Sequence, residues 1–357
     1  MRVSIVSALA IAVTGVTSLP RYLNATSPGF PNPSLAQLVA IEKQAGGSLP
    51  NGPLPTSLKA AAITALNLLA NNELFEVAFF SELLANITNN VPGYDEDAMG
   101  PHCSKPFAIK AISAILAQEE IHAIAANALL HSAGQPPIAP CQYSFPVTDF
   151  PSAILLAETF TDIALGTVPA VQVIFATDGG VEVGNVPLLG SILAQEAEQT
   201  GWFRALQQKT PSAAPFLTGG SADYAFTALQ DFIVPESCPT PLSTIPLTRF
   251  KPLTVTTKPE ARTMTLEFQV PYDPAETVTA QQNALVYLSG QNLPLTVPII
   301  NPVRFGNLTV FSASFPFDSG FANGLTIAAV VNGTGNFTTD DAVAAATLYG
   351  PGLILVN

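Results

Sequence analysis

The sequence predicts an α+β protein of two domains. A four-helix bundle with a long crossover between its second and third helices is followed by a small all-β sandwich. Two observations predict this. Apolar residues recur at three- and four-residue steps in four long segments between residues 57 and 208. From Pro239 onward the pattern changes to Thr-, Val- and Pro-rich runs of period two separated by turn residues. A chain of 357 residues also exceeds one typical domain.

The N-terminal end reads as a targeting segment. Met1-Arg2 precedes an apolar run from Val3 to Val16, and Val16-Thr17-Ser18 offers the small residues that a signal peptidase reads. Residues 1–18 are therefore expected to be a secretory signal peptide, too short to span a membrane. No later run reads as a membrane span, and the apolar C-terminal stretch is too short for a lipid-anchor tail. Residues 19–55, rich in Pro, Ser, Gly and Asn, read as an extended arm with a short helix near residues 35–44.

The helical domain is expected over residues 56–238. Its first helix runs from about Ser57 to Thr88 with the stripe Leu66, Leu69, Glu73, Glu76, Phe80, Leu83, Ile87. The second follows Pro106 and ends near His131, with Ile112, Ile115, Glu119, His122, Ala126 and Leu129 on one face. Residues 132–150 carry several Pro and Gly and no helical signal. The stretch is long for a bundle loop, as one crossover topology requires. The third helix starts near Pro151 with the stripe Ile154, Glu158, Thr161, Leu165, Val168, and Pro169 is a potential kink. The fourth spans about Pro187 to Gln208 with Leu189, Ile192, Glu196, Gln199, Phe203, Leu206. A fifth, Ala222–Val234, is placed on the outside. Strands are expected at Thr263–Val270, Ala284–Leu288, Leu308–Phe315 and Leu325–Val331, in a domain of residues 239–357.

The net charge of −13 and the scarcity of Lys and Arg argue against nucleic acid or an anionic membrane as partner. A chain that is 48% apolar and 11% charged has the composition of a compact globule. Asn24, Asn86, Asn307, Asn332 and Asn336 begin glycosylation sequons. Three cysteines outside the cell imply one disulfide and one leftover thiol. Cys103 and Cys141 flank the second helix and are one candidate pair; pairing with Cys238 is as plausible.

The chemistry lies in the stripes. Leu or Ile would ordinarily stand where Glu73, Glu119, His122, Glu158, Glu196 and Gln199 do, and an unpartnered buried carboxylate is costly. Four carboxylates and an imidazole at one depth suit two divalent ions of the iron or manganese type, and four negative charges balance two such ions. The basic residues of the helices, Lys59, Lys110, Arg204 and Lys209, do not lie mid-stripe, which favours metal as the counter-charge. Glu76 is a candidate to supply a replacement oxygen for Gln199, and Asp162 to do the same or to orient His122. Glu120 and Glu198 fall off the stripe and read as solvated.

Glu119-Glu120-Ile121-His122 is a full Glu-x-x-His motif, and Glu196-Ala197-Glu198-Gln199 matches it except at the last residue. With lone Glu residues on the first and third helices, this pattern resembles the ferritin-like di-iron carboxylate family. More narrowly, the chain resembles the secreted fungal late sexual development or stress-response proteins, related to plant desiccation-related proteins. The resemblance implies a metal-centred bundle acting on oxygen or peroxide, or scavenging metal ions, and a β-rich tail. The rival expectation is a non-catalytic structural or stress-protective protein with the bundle as scaffold. A sandwich outside the cell is expected to meet cell-wall carbohydrate or protein, by analogy of fold alone.

Overall fold

The computed structural model describes residues 26–180, 182–320 and 322–357. The expected signal peptide and the Asn24 sequon lie outside the described residues. Four long helices form the bundle: α2 (Ala60–Thr88), α4 (Lys105–Ser132), α5 (Phe150–Asp178) and α6 (Val186–Leu206). α2 packs along α4, and α5 along α6. The short α1 (Leu35–Ala45) lies on α4, and the single turn α3 (Glu96–Met99) sits in the loop before it.

Local chemistry sets the helix ends. Asp149 caps α5 by accepting the Ser152 amide at 2.9 Å, and Ser152 returns a bond to the Asp149 amide. α2 starts at Ala60, three residues later than its sequence suggests. The buried Glu182 accepts the Lys59 amide at 2.9 Å, and Lys59 Nζ donates to the Asp178 carbonyl, so tertiary contacts fix this terminus. α5 continues without a break through Pro169, which is exposed. By length and composition α5 is apolar enough to cross a membrane, contrary to the sequence reading. Its most apolar window is 78% buried inside the bundle, which explains that character as core.

The crossover after α4 is held down throughout. The Ser144 amide donates to the Phe232 carbonyl and the Val234 amide to Gln142, forming a short antiparallel pairing around Tyr143 and Ile233. Beneath it Phe75 meets Phe160, Phe145 and Tyr143 edge-on at 5.0, 5.6 and 5.7 Å. The disulfide joins Cys141 of the crossover to Cys238, after α7 (Ala222–Gln230). This corrects the Cys103–Cys141 pairing. Cys103 is a free, buried thiol at the head of α4, and burial raises its pKa.

The C-terminal region is a sandwich of two antiparallel four-stranded sheets. One has the order β1 (Thr254–Val255), β2 (Met264–Pro271), β6 (Leu308–Phe315), β5 (Ile300–Phe305). The other has β4 (Leu295–Pro298), β3 (Asn283–Ser289), β7 (Gly324–Asn332), β8 (Thr347–Val356). Between them lie Phe268, Phe311 and Phe315 of the first sheet and Leu285, Tyr287 and Val330 of the second. β2 alternates because its other face meets solvent. β3 is buried at every position, and β7 at all but its last, because their second face carries another core. There Val286, Leu288, Ile327 and Val331 pack with Ile163 of α5, Tyr224 of α7 and Val343 of α8 (Asp340–Ala346). Bundle and sandwich thus share a core. At the junction Gly166 of α5 accepts the Gly220 amide, and a methyl group there would collide with the Thr218 carbonyl oxygen.

Asn307, Asn332 and Asn336 are exposed on the sandwich, as glycan acceptors would be. Asn86 is half-buried near the end of α2 and hydrogen-bonds Tyr94.

Candidate metal centre

Helical spacing brings Glu73 of α2, Glu119 and His122 of α4, and Glu196 of α6 to one level of the bundle. One ligand atom from each lies within 4.8 Å of every other. His122 Nδ1 stands 3.0 Å from Glu119 Oε2, 3.4 Å from Glu73 Oε2 and 3.9 Å from Glu196 Oε1. All three carboxylates are buried, and among the described residues no Lys or Arg pairs with them.

Burial of these charges is opposed by water loss and by one another. Burial raises Glu73 to about 7, with the His122 charge pulling the other way. Burial together with neighbouring carboxylates raises Glu76 and Glu196 well above the usual range. Burial alone would lower the His122 imidazole, but the Glu119 and Glu73 charges outweigh it and raise its pKa well above the ordinary value. Glu73 Oε2, Glu196 Oε2, Glu76 Oε2 and Gln199 Oε1 are buried without a hydrogen-bond partner. Buried oxygens are seldom left so, and these carboxylate oxygens and one imidazole form a donor set that could hold a metal ion.

Two expected ligands behave differently. Gln199 turns its amide nitrogen to Glu119 Oε1 at 2.6 Å and so orients that carboxylate, a part suited to a group that donates as well as accepts. Glu158 is not in the cluster. Its Oε1 takes a bond from Arg204 Nη1 at 2.5 Å, and its Oε2 bonds from Gln207 at 2.6 Å and Lys209 at 2.7 Å. The counter-charge thought absent from the helices is therefore present for this one acid. Arg204 and Lys209, at the end of α6 and just beyond it, reach Glu158 with their long side chains.

Asp162 belongs to this second group and not to His122. Burial, then the Glu158 charge, raise it to about 7, against the pull of Arg204 and Lys209. Glu76 does stand by the cluster, sensing Glu119, Glu196 and Glu73, and Asn72 donates to its Oε1 at 3.0 Å. Glu198 is exposed as expected. Glu120 is buried and accepts the Ser27 amide at 2.7 Å, because the N-terminal arm covers that side of α4.

Asp162 gives a pH prediction. A carboxyl whose folded pKa lies above its unfolded value binds the proton more tightly when folded. It therefore costs stability progressively as pH rises from about 4 to about 7. Asp162→Asn is expected to melt several degrees above the wild type at pH 8 and to match it near pH 4. Thermal unfolding at the two pH values checks this; an equal shift at both would remove the titration as cause.

Residues 61–209 match the family model described as a ferritin-like domain. This region is similar to a ferritin-like domain. No curated protein matches the chain. The matched region spans the four long helices and both acidic groups; the sandwich lies outside it. Sequence reasoning missed Gln207 and Asn72 as partners. Neither carries a motif, and both act only through the neighbouring helix or turn.

Proposed function

We propose that the ferritin-like domain holds one divalent metal ion, iron or manganese, between Glu73, Glu119, His122 and Glu196. The observation that carries this is a cage of three buried carboxylates and an imidazole with no Lys or Arg to neutralise it. A single ion follows from the loss of Glu158 to Arg204 and from the donor role of Gln199. Bound there, the metal would supply the electrons for chemistry on oxygen or peroxide. Gln199 fixes Glu119.

The protein is further proposed to work outside the cell, in a stress or sexual-development setting. The signal-peptide pattern, the Cys141–Cys238 disulfide and the exposed sequons of the sandwich support this. The sandwich would face cell-wall carbohydrate or protein. The scaffold reading has one observation in its favour: Glu158, one of the expected ligands, is satisfied by cations of the chain itself.

Elemental analysis of the protein from its native secretion separates the two. About one iron or manganese per chain is expected in the wild type and almost none in Glu119→Ala. About two would overturn the single-ion cage. No metal, and no uptake on reconstitution, would leave the scaffold.

A further inference from the structure

One end of the sandwich breaks the rule that a solvent-facing sheet surface is polar. On the outer face of the first sheet, Thr265 and Glu267 of β2 pair with Ser314 and Ser312 of β6, as water there requires. At the other end of the same face stand Pro271, Leu308, Val310, Val303 and Phe305. Phe305 is 77% exposed and Val303 61%. β5 is an edge strand, so no further strand of its sheet shelters them.

The turn between β5 and β6 closes this apolar end. Phe305 pairs with Leu308, which leaves Gly306 and Asn307 as a two-residue turn. Gly306 takes a φ of 62°, the positive value that the first position of such a turn favours. The turn is pinned from β5 and from the end of β2. Arg304 Nε donates to the Gly306 carbonyl at 3.0 Å, and the Tyr272 amide donates to the Asn307 carbonyl at 2.8 Å. The Arg304 guanidinium lies over the Tyr272 ring, 3.9 Å from its centre. Asn307 itself is exposed and begins the sequon Asn307-Leu308-Thr309. A glycan acceptor thus stands on a fixed turn, two residues after an exposed aromatic ring.

Sugar chemistry matches that ring. The first sugar on such an Asn is N-acetylglucosamine. Its faces present C–H bonds and its rim presents hydroxyls, so it can lie flat on an aromatic face with its rim in water. The other sandwich sequons lack this partner. Two residues before Asn332 is Val330, which is buried, and two before Asn336 is Thr334.

We propose that Asn307 carries an N-glycan whose first sugar lies on Phe305, covers the apolar end of β5 and stiffens the β5–β6 turn. The proposal rests on the extracellular reading above and gives one of its sequons a structural part.

The test uses the full chain, exported behind residues 1–18 by a eukaryotic host fed isotope-labelled glucose. Glycopeptide mass spectrometry should find Asn307 occupied. Its sugar resonances are assigned by their absence from Asn307→Gln. In the wild type the ring protons of the first sugar should lie upfield of those in the released glycan, displaced by the Phe305 ring current. Phe305→Leu, which keeps apolar volume without an aromatic face, should erase the displacement. Asn307→Gln should lower the melting temperature by about 2 °C in the wild type and leave Phe305→Leu unchanged. An unoccupied Asn307 in the exported chain, wild-type sugar protons without the displacement, or an equal melting shift in both backgrounds would overturn the proposal. A chain that residues 1–18 do not export fails the extracellular reading instead. Behind a leader of proven export, the same measurements then decide the proposal.

Discussion

Arg204→Met is expected to destabilise the protein by about 3–5 kcal/mol, the largest effect of any single substitution outside the hydrophobic cores. Arg204 is 2% exposed, and its guanidinium makes three separate connections. Nη1 meets Glu158 of α5, Nε donates to the Thr210 carbonyl beyond α6, and Nη2 donates to the main-chain oxygen of Asn357 after β8, each of the last two at 2.8 Å. Removing it leaves a fully buried carboxylate with Lys209 alone as charged partner and two carbonyl oxygens without this donor. The cost comes mostly from what is left behind, so it is largely recoverable. Glu158→Leu with Arg204→Met replaces an ion pair by apolar volume and should regain most of the loss. Urea unfolding of the wild type, the single variant and the double variant at pH 7 measures the coupling. A single-variant loss below about 1 kcal/mol would mean that solvent reaches Glu158 once Arg204 is gone.

Glu158 also marks where the sequence could not be read to the end. Periodicity located every long helix, because each buries a stripe that must recur with the helical turn. The same periodicity put Glu158 beside Glu73, Glu119 and Glu196 in depth, and depth is all that a stripe reports. Which acid meets a cation depends on rotation about the helix axis and on the reach of side chains from the next helix. Arg204 stands eight residues after Glu196, on neither side of a motif, and only the packed α5–α6 pair brings its guanidinium to Glu158. Gln199 was legible as a departure from Glu-x-x-His, but the direction of its amide was not. Glu120 looked solvated because nothing in its own helix shows that the Ser27 amide will meet it. In the sandwich, β2 and β6 followed period two. β5 and β8 escaped because one is an exposed edge strand and the other contains Gly350, Pro351 and Gly352, residues that ordinarily interrupt strands.

Loss of the Cys141–Cys238 disulfide is the second large effect, and it should act in a different way from Arg204→Met. The bond closes a sequence separation of 97 residues that contains all of α5, α6 and α7. A crosslink of that span restricts the unfolded chain, by about 4.7 kcal/mol in the loop-entropy limit and commonly by 2–4 kcal/mol in practice. The folded state needs it less. The crossover keeps its hydrogen bonds to residues 232–237 and its aromatic contacts with Phe75 whether or not the sulfurs are joined. Cys141→Ser with Cys238→Ser should therefore lower stability by about 2–4 kcal/mol while the metal cage, on other elements, keeps its content. Cys103→Ala should change stability by no more than a small core truncation, since its thiol is buried and has no sulfur partner. Urea unfolding with parallel metal analysis distinguishes the cases. If the double Ser variant lost its metal along with its stability, the crossover would be holding the native bundle in register, and the account through the unfolded state would be wrong.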